Sequence, residues 1–340
     1  MENQNLISII IPTFNRASLI GETLDSVQAQ TYTYWECIVI DDGSTDGTDQ
    51  LMSEYIAKDS RFKYLHRPQD RLPGGNAARN YGFELSKGEY VNWFDSDDLM
   101  LPDFLSSKLN LLIENDSLDF SACYSQIFKN SPNNIINEAK PLITNSVNYI
   151  EDYMFNGLFF DTAGPLWRKS FLIKNNLKFD EVLLRSQERD FHFRILFANP
   201  NFSFVVKKHL FLSREGEDNS ISKNFSKSFD LQLSNFMYFN NAFNLIYESD
   251  IKCDKIKLLR YIFYRQSVHF YTMFTMNNVS LNKQLYFYFK YFPALIKYLK
   301  GSKLGLEYFA KICFGSGIML FFNKGYKFFH FPQFNYRKND

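Results

Sequence analysis

Four short apolar runs, each closed by a polar or turn-forming stretch, punctuate the first hundred residues, and segments with helical spacing separate them. Leu6–Pro12, Trp35–Asp41, Phe62–His66 and Tyr90–Phe94 are rich in β-branched and aromatic residues. Ala17–Gln30 places apolar side chains at 19, 20, 24 and 27, Asp42–Thr48 opens a helix running to about Lys58, and Gly74-Gly75 starts another through Ser86. Runs this continuous belong to strands buried on both faces. Strands interleaved with helices at this pitch predict an α/β fold with a doubly wound, mostly parallel sheet. Such a sheet gathers its ligands at the carboxyl ends of its strands, near a topological switch point.

Polar residues follow three of these strands. Thr13-Phe14-Asn15-Arg16 succeeds the first, Asp41-Asp42-Gly43-Ser44 the second and Asp95-Ser96-Asp97-Asp98 the fourth. Three carboxylates within four residues repel one another unless a cation sits among them. Hard oxygen ligands on a short loop suit Mg²⁺ or Mn²⁺ beside phosphate oxygens; an acid-rich turn before the helix that begins near Pro102 is the simpler alternative. Asp41–Thr48 reads either as a turn and helix cap or as an acceptor for the imide N–H of a uracil or thymine ring. Gly74 to Asn80 is a glycine-led helix start whose small residues admit close backbone approach. Arg79, one turn in, either reaches a base or phosphate or stays solvated.

In this order and spacing, Ile11–Arg16, Ile40–Thr48, Gly75–Gly82 and Phe94–Asp98 resemble the motifs of family 2 glycosyltransferases, which are inverting sugar-nucleotide transferases of the glycosyltransferase A fold. The resemblance runs from about residue 5 to 215, and the family is at home in bacterial polysaccharide synthesis. It implies that Thr13, Asn15 and Arg16 line a nucleoside pocket, that Asp42 pairs with the base ring beside Asp41, and that Gly75 and Arg79 hold the nucleotide. Asp95 would approach the ribose. Asp97 would bind the Mn²⁺ or Mg²⁺ that bridges the diphosphate, with Asp98 as the alternative ligand.

An inverting transfer also needs a carboxylate on the acceptor side. The family supplies it at the start of a helix, and Asp190-Phe191-His192-Phe193-Arg194 resembles that segment. The alignment makes Glu188 the general base, with Glu in place of the usual Asp and Arg189 in place of the usual aromatic. Asp190 is the second candidate, and a helix start enriched in acids by the dipole would account for both. Upstream, Thr162–Lys169 resembles the acceptor-side wall and offers Gly164 and Trp167, the indole either stacking on a sugar or packing in the core. Arg214, in Leu212–Gly216, matches a family arginine on a loop over the donor; the alternative is a surface charge. His192 reads as packing on its helix, since the sequence sets no other ligand-type residue at metal-ligand spacing from it.

Charge divides the chain. The whole carries a formal +1, from 38 Lys and Arg against 37 Asp and Glu, yet residues 251–340 hold 15 basic and 3 acidic residues with 24 aromatics. Basic, aromatic, helix-prone segments suit an anionic membrane surface. Nucleic acid is the rival partner, and a near-neutral total argues against it. Aromatic helices packed on the catalytic domain or on a second copy are the other possibility. The expected organisation is a catalytic domain over 1–220, its donor half about 1–100 and its acceptor half about 101–220, followed by a helical region over 221–340. No stretch reaches the roughly 18 apolar residues of a spanning helix; the nearest, Tyr308–Phe322, contains Lys311. Leu6–Pro12 is too short for a signal peptide and lacks a basic leader. Cys37, Cys123, Cys253 and Cys313 show no CxxC or metal-ligand spacing, which suits a reducing compartment. The expected protein is cytoplasmic, peripheral on the inner face of the membrane, and uses a nucleotide-sugar donor (UDP-linked) with a glycan or lipid-linked acceptor. A catalytically impaired sugar-nucleotide binder or scaffold is the alternative. A nucleotidyltransferase would want a glycine-rich phosphate loop after the first strand, and a dinucleotide oxidoreductase would want GxGxxG there; the chain has neither.

Overall fold

The computed structural model describes residues 5–138, 148–157, 160–215, 228–276 and 279–336. Two compact units share the chain: 1–144 with 158–182 and 194–217, and 145–157 with 183–193 and 218–340. The described strands are β1 (Ile7–Thr13), β2 (Trp35–Asp41), β3 (Phe62–His66), β4 (Tyr90–Trp93), β5 (Leu99–Met100), β6 (Phe120–Lys129), β7 (Ser131–Glu138), β8 (Leu166–Arg168) and β9 (Phe202–Arg214). The helices are α1 (Ile20–Gln28), α2 (Thr48–Lys58), α3 (Gly75–Leu85), α4 (Phe104–Glu114), α5 (Tyr149–Asn156), α6 (Lys169–Lys174), α7 (Gln187–Phe197), α8 (Phe229–Glu248), α9 (Lys255–Phe274), α10 (Leu281–Gly301) and α11 (Leu306–Phe322).

All nine strands form one sheet in the first unit, ordered β3-β2-β1-β4-β8-β6-β9-β5, with β7 added on β6. β1, β2, β3 and β4 pair in parallel, and β6 pairs in parallel with β9; β8 is antiparallel to both β4 and β6. Every residue of β1 and β2 is buried, as their unbroken apolar runs predict. One face is covered by Ile20, Leu24 and Val27 of α1 and by Phe104, Leu105 and Leu109 of α4. The polar stretch after β6 begins with β7, and residues 139–147 lie outside the described ones. β7 carries no apolar alternation because it pairs only through β6 and leaves its side chains largely exposed, so period-2 reasoning has nothing to detect. β9, at thirteen residues, runs on to Arg214.

Gly82 packs α3 against the sheet. A Cβ there would lie 2.4 Å from Ile10 Cγ2 and 3.3 Å from Ile40 Cγ1, both fully buried and conformationally stiff. Gly82→Ala should therefore destabilise the protein by about 1–3 kcal/mol or more through overpacking, read as a lower urea midpoint at unchanged m.

The second unit is helical. Ser228, Asp254 and Ser280 each accept a hydrogen bond from a backbone N–H of the first turn that they cap, fixing the starts of α8, α9 and α10. Much of the aromatic excess is core. Phe270 and Phe287 meet at 5.2 Å, Phe236 and Tyr291 at 5.2 Å, and Phe243 and Tyr298 at 4.6 Å. No described helix is long and apolar enough to cross a membrane.

Candidate functional site

The carboxyl ends of β1, β2 and β4 bring three loops together. Asp41, fully buried at the end of β2, accepts the backbone N–H groups of Gly43 and Ser44 at 2.6 Å each and the Tyr64 hydroxyl at 2.8 Å. Its oxygens are thus committed to shaping the turn, and its contribution to a nucleoside is indirect. Asp42 takes the Nε–H of Arg67, whose Nη1 also donates to the Pro68 and Arg71 carbonyls. Asn15, at a φ of 52°, ties this turn to the first loop. Its amide donates to Ser44 Oγ at 2.8 Å and its Oδ1 accepts from Thr45 N at 2.8 Å. Asn tolerates this left-handed conformation better than most residues. Thr13 is buried with its Oγ1 unpartnered among the described residues. Arg67 and Tyr64 escaped the sequence reading, since an Arg and a Tyr around a strand end carry no motif.

The glycine-led start of α3 also anchors a segment distant in sequence. Asn76 Nδ2 donates to the Asp180 carbonyl at 2.5 Å, and Asn80 exchanges hydrogen bonds with Phe179, Nδ2 to the carbonyl and the amide N to Oδ1, both at 2.9 Å. The two asparagines, one turn apart, fasten the 179–181 segment. Arg79 lies between them in sequence and donates to Asp95 Oδ1 at 2.8 Å; its Nε is buried and unpartnered among the described residues. Gly75 leaves room for this guanidinium, a Cβ there falling 3.1 Å from Arg79 Nη1.

The acidic triplet stands beside these groups. Burial, then the charge of Asp95, pushes the Asp97 carboxyl above the usual range, while Arg16 and Arg214 pull it back. Arg16 Nη2 is 3.9 Å from Asp97 Oδ2. Asp98, nearly enclosed, is pushed well above its ordinary value by burial and by Asp95 and Asp97. Arg214 holds the triplet's backbone, its N–H donating to Asp98 Oδ1 at 2.9 Å and its Nε to the Asp97 carbonyl at 3.0 Å, and Nη2 reaches Glu22 at 2.8 Å. Gly216, on the same expected loop, lies outside the described residues. Among the described residues no three His, Cys, Asp or Glu close a metal cage. Repelling carboxylates with incomplete neutralisation are nonetheless the donor set that suits a divalent ion sharing its shell with a diphosphate.

Asp161 is a site residue the sequence reading passed over. It is solvent-accessible, accepts from Ser125 Oγ at 2.9 Å, and is raised by the protein crowding it and then by Asp95. An isolated Asp before a small-residue turn gives no sequence signal; only the fold sets it by the triplet. The acceptor-side expectation for Trp167 is corrected. Its side chain is 1% exposed and packs at 4.3 Å on Phe120, so no sugar face reaches it. β8 is an interior strand of the sheet, which turns its large side chains into core. Gly164 is equally enclosed, a Cβ there falling 2.8 Å from the Cys123 carbonyl.

Behind Gly164 lies Lys108, fully buried, its Nζ donating to the Gly164 carbonyl at 3.2 Å and standing 3.2 Å from the centroid of the Phe104 ring. Burial lowers its pKa to about 7. Above that value the folded chain holds fewer protons than the unfolded one, so stability should climb from pH 7 towards 10 by up to about 1.4 kcal/mol per pH unit from this group. Lys108→Met should flatten that rise in urea titrations at pH 7 and 9.

In the second unit, Glu188 and Asp190 open α7. Ser186, at a φ of 59°, donates to Asn235 Oδ1 at 3.0 Å, and Arg185 is clasped by Ser234, whose Oγ accepts from its N–H at 2.9 Å and donates to its carbonyl at 2.8 Å. Tyr153 donates to the Arg189 carbonyl at 3.2 Å. Glu188 is half-buried and Asp190 buried. His192 is buried and held neutral, its pKa lowered to about 3 by burial alone, as a packing residue would be.

A largely parallel sheet that delivers a buried turn-shaping Asp, an Arg–Asp pair and an acidic triplet to adjacent strand ends defines an α/β domain of the glycosyltransferase A type. Residues 8–171, just under half of the chain, match glycosyl transferase family 2. It is 39% identical over 113 residues to an uncharacterized glycosyltransferase of Haemophilus influenzae, a stretch covering 33% of this chain and 44% of that one. It is 36% identical over 109 residues to a putative teichuronic acid biosynthesis glycosyltransferase, TuaG, of Bacillus subtilis, covering 32% and 42%. The chain thus spans less than half the length of these relatives. Its fold is similar to that of S. aureus TarS 1–349 in complex with UDP-GlcNAc, at a TM-score of 0.62, 19% identity and coverage of 87% of this chain and 81% of that one.

Proposed function

We propose that the chain is an inverting glycosyltransferase that moves a sugar from a UDP-linked donor to a hydroxyl of a glycan or lipid-linked acceptor in cell-surface polysaccharide synthesis. The observation that carries this reading is the acidic triplet, flanked by Arg16, Arg79 and Arg214, at the strand ends of the family 2 domain. The likeness to TarS, determined with UDP-GlcNAc, and to TuaG, named for teichuronic acid synthesis, supports the donor and pathway class.

In this reading the Asp41 turn, with Asn15, Thr13 and the Asp42–Arg67 pair, receives the nucleoside, and Asp95 presents Arg79 towards the phosphates. Asp97 and Asp98 would hold Mn²⁺ or Mg²⁺, which supplies charge neutralisation and orientation of the diphosphate when bound. Glu188 takes the acceptor hydroxyl's proton as that oxygen bonds to the anomeric carbon, and the carbon–oxygen bond to the diphosphate breaks with its electron pair leaving on the diphosphate. Arginines preset by Asp95 and by the triplet's backbone need little reorganisation to meet that charge. Residues 1–220 are assigned the catalytic role and the basic tail a peripheral one at an anionic membrane.

A panel of UDP- and GDP-sugars, each with Mn²⁺ or EDTA, tests the proposal by release of nucleoside diphosphate. Release from at least one UDP-sugar, suppressed by EDTA, is expected. Tight binding of a sugar nucleotide with no release under any condition would make the chain a binder and refute the enzyme reading.

A further inference from the structure

The last long helix departs from the rule that a helix apolar on all sides is buried. α11 carries two charges in seventeen residues, Glu307 and Lys311, yet only Ile312, Gly315, Ser316 and Met319 are buried. Leu306 is 83% exposed, Phe314 64% and Phe321 82%. An open groove of about 610 Å³ runs alongside, lined by Phe292, Ile296 and Leu299 of α10 and by Leu306, Phe309 and Cys313 of α11. Its volume falls in the range of small-molecule sites.

The surrounding charge is one-sided. From Lys255 to Tyr336 Glu307 is the sole acid, and Lys300 lines the groove itself. Lys303, three residues on, is exposed, and neither it nor Lys300 forms an ion pair among the described residues; Lys311 stands on the other side of α11, its Nζ 4.8 Å from the Phe331 ring. An apolar slot bordered by uncompensated ammonium groups is complementary to an amphiphile with one hydrocarbon chain and an anionic head. A second copy of this chain would bring the same lysines against one another, which like-charge repulsion opposes.

We propose that the α10–α11 groove binds one acyl chain of an anionic membrane lipid, with the lysines facing its headgroup. This rests on the membrane-side part of the function proposed above and gives it a specific ligand site. The protein would hold a lipid chain, in addition to lying on a surface.

Cys313 reports directly on the groove. It is exposed there, whereas Cys37 and Cys123 are buried and Cys253 is partly exposed away from the groove lining. In purified protein at pH 8.5, lysophosphatidylglycerol below its micellar concentration should slow maleimide alkylation of Cys313 at least tenfold, saturably. Lysophosphatidylcholine should protect much less, and Cys253 should react at an unchanged rate. Leu306→Gln combined with Phe309→Gln should abolish the protection while keeping the thermal transition. No protection by lysophosphatidylglycerol, or equal protection of Cys253, overturns the proposal. So does protection that appears without lipid as protein concentration and apparent mass rise together, which would make the occupant a second copy. Flotation on phosphatidylglycerol vesicles without protection of Cys313 removes the groove and leaves membrane association standing. Nucleoside diphosphate release by the same double variant with a water-soluble acceptor reports the enzyme reading separately.

Discussion

Glu188→Gln is expected to lower turnover by about 10²–10⁴-fold, the usual contribution of a positioned general base, while the affinity for the sugar nucleotide stays within about twofold. The amide keeps the shape of the side chain and loses only the ability to take a proton. Asp190→Asn should reduce turnover far less, because Asp190 is buried at the start of α7 while Glu188 keeps part of its surface open to solvent. Single-turnover rates with donor affinities measured on the same preparations separate the two. Near-normal turnover in Glu188→Gln together with a dead Asp190→Asn would exchange their roles.

Asp97→Asn should raise thermal stability and abolish function at once. A carboxyl whose pKa the fold pushes up contributes stability below its unfolded value, and that stability is lost as pH rises through the folded value. At pH 7 an ionised Asp97 among Asp95 and Asp98 is therefore a liability to the fold. Removing the charge should lift the melting temperature by a few degrees, since about 1 kcal/mol moves a domain of this size by roughly 2–4 °C. Turnover should fall by about a hundredfold or more, because several kcal/mol of charge stabilisation at the diphosphate depends on the ion this carboxylate would hold. Asp98→Asn keeps an acceptor for the Arg214 N–H and should stabilise as much with a smaller loss of turnover. Calorimetry and a Mn²⁺ titration of activity test both variants. A fall in melting temperature for both would contradict the electrostatic argument.

The parallel half of the sheet was legible because its strands are buried on both faces and therefore apolar without interruption; β1 and β2 fall where Leu6–Pro12 and Trp35–Asp41 predict, within one residue. β7 was hidden because an edge strand of mostly exposed residues places no demand on side-chain polarity. The loops of the site were legible as motifs, and the tasks of their members were less so. Asp41 and Asn15 look like ligand groups and are spent on hydrogen bonds that shape the turn, and Trp167 became core once β8 proved interior. Asp161, Arg67 and Lys108 act through neighbours distant in sequence, so no local pattern marks them.

The division of the chain between its two units has a consequence for biosynthesis. Residues 183–193, which carry Glu188, belong with 218–340, although the strands of the sheet are finished by Arg214. A ribosome would release a sheet able to fold before α8 has emerged to clasp Arg185 and Ser186. A prematurely terminated chain would then have its strand-end loops formed while the proposed proton acceptor still lacked its support. Translation itself would withhold a supported proton acceptor until α8 had been made, well after the last strand of the sheet.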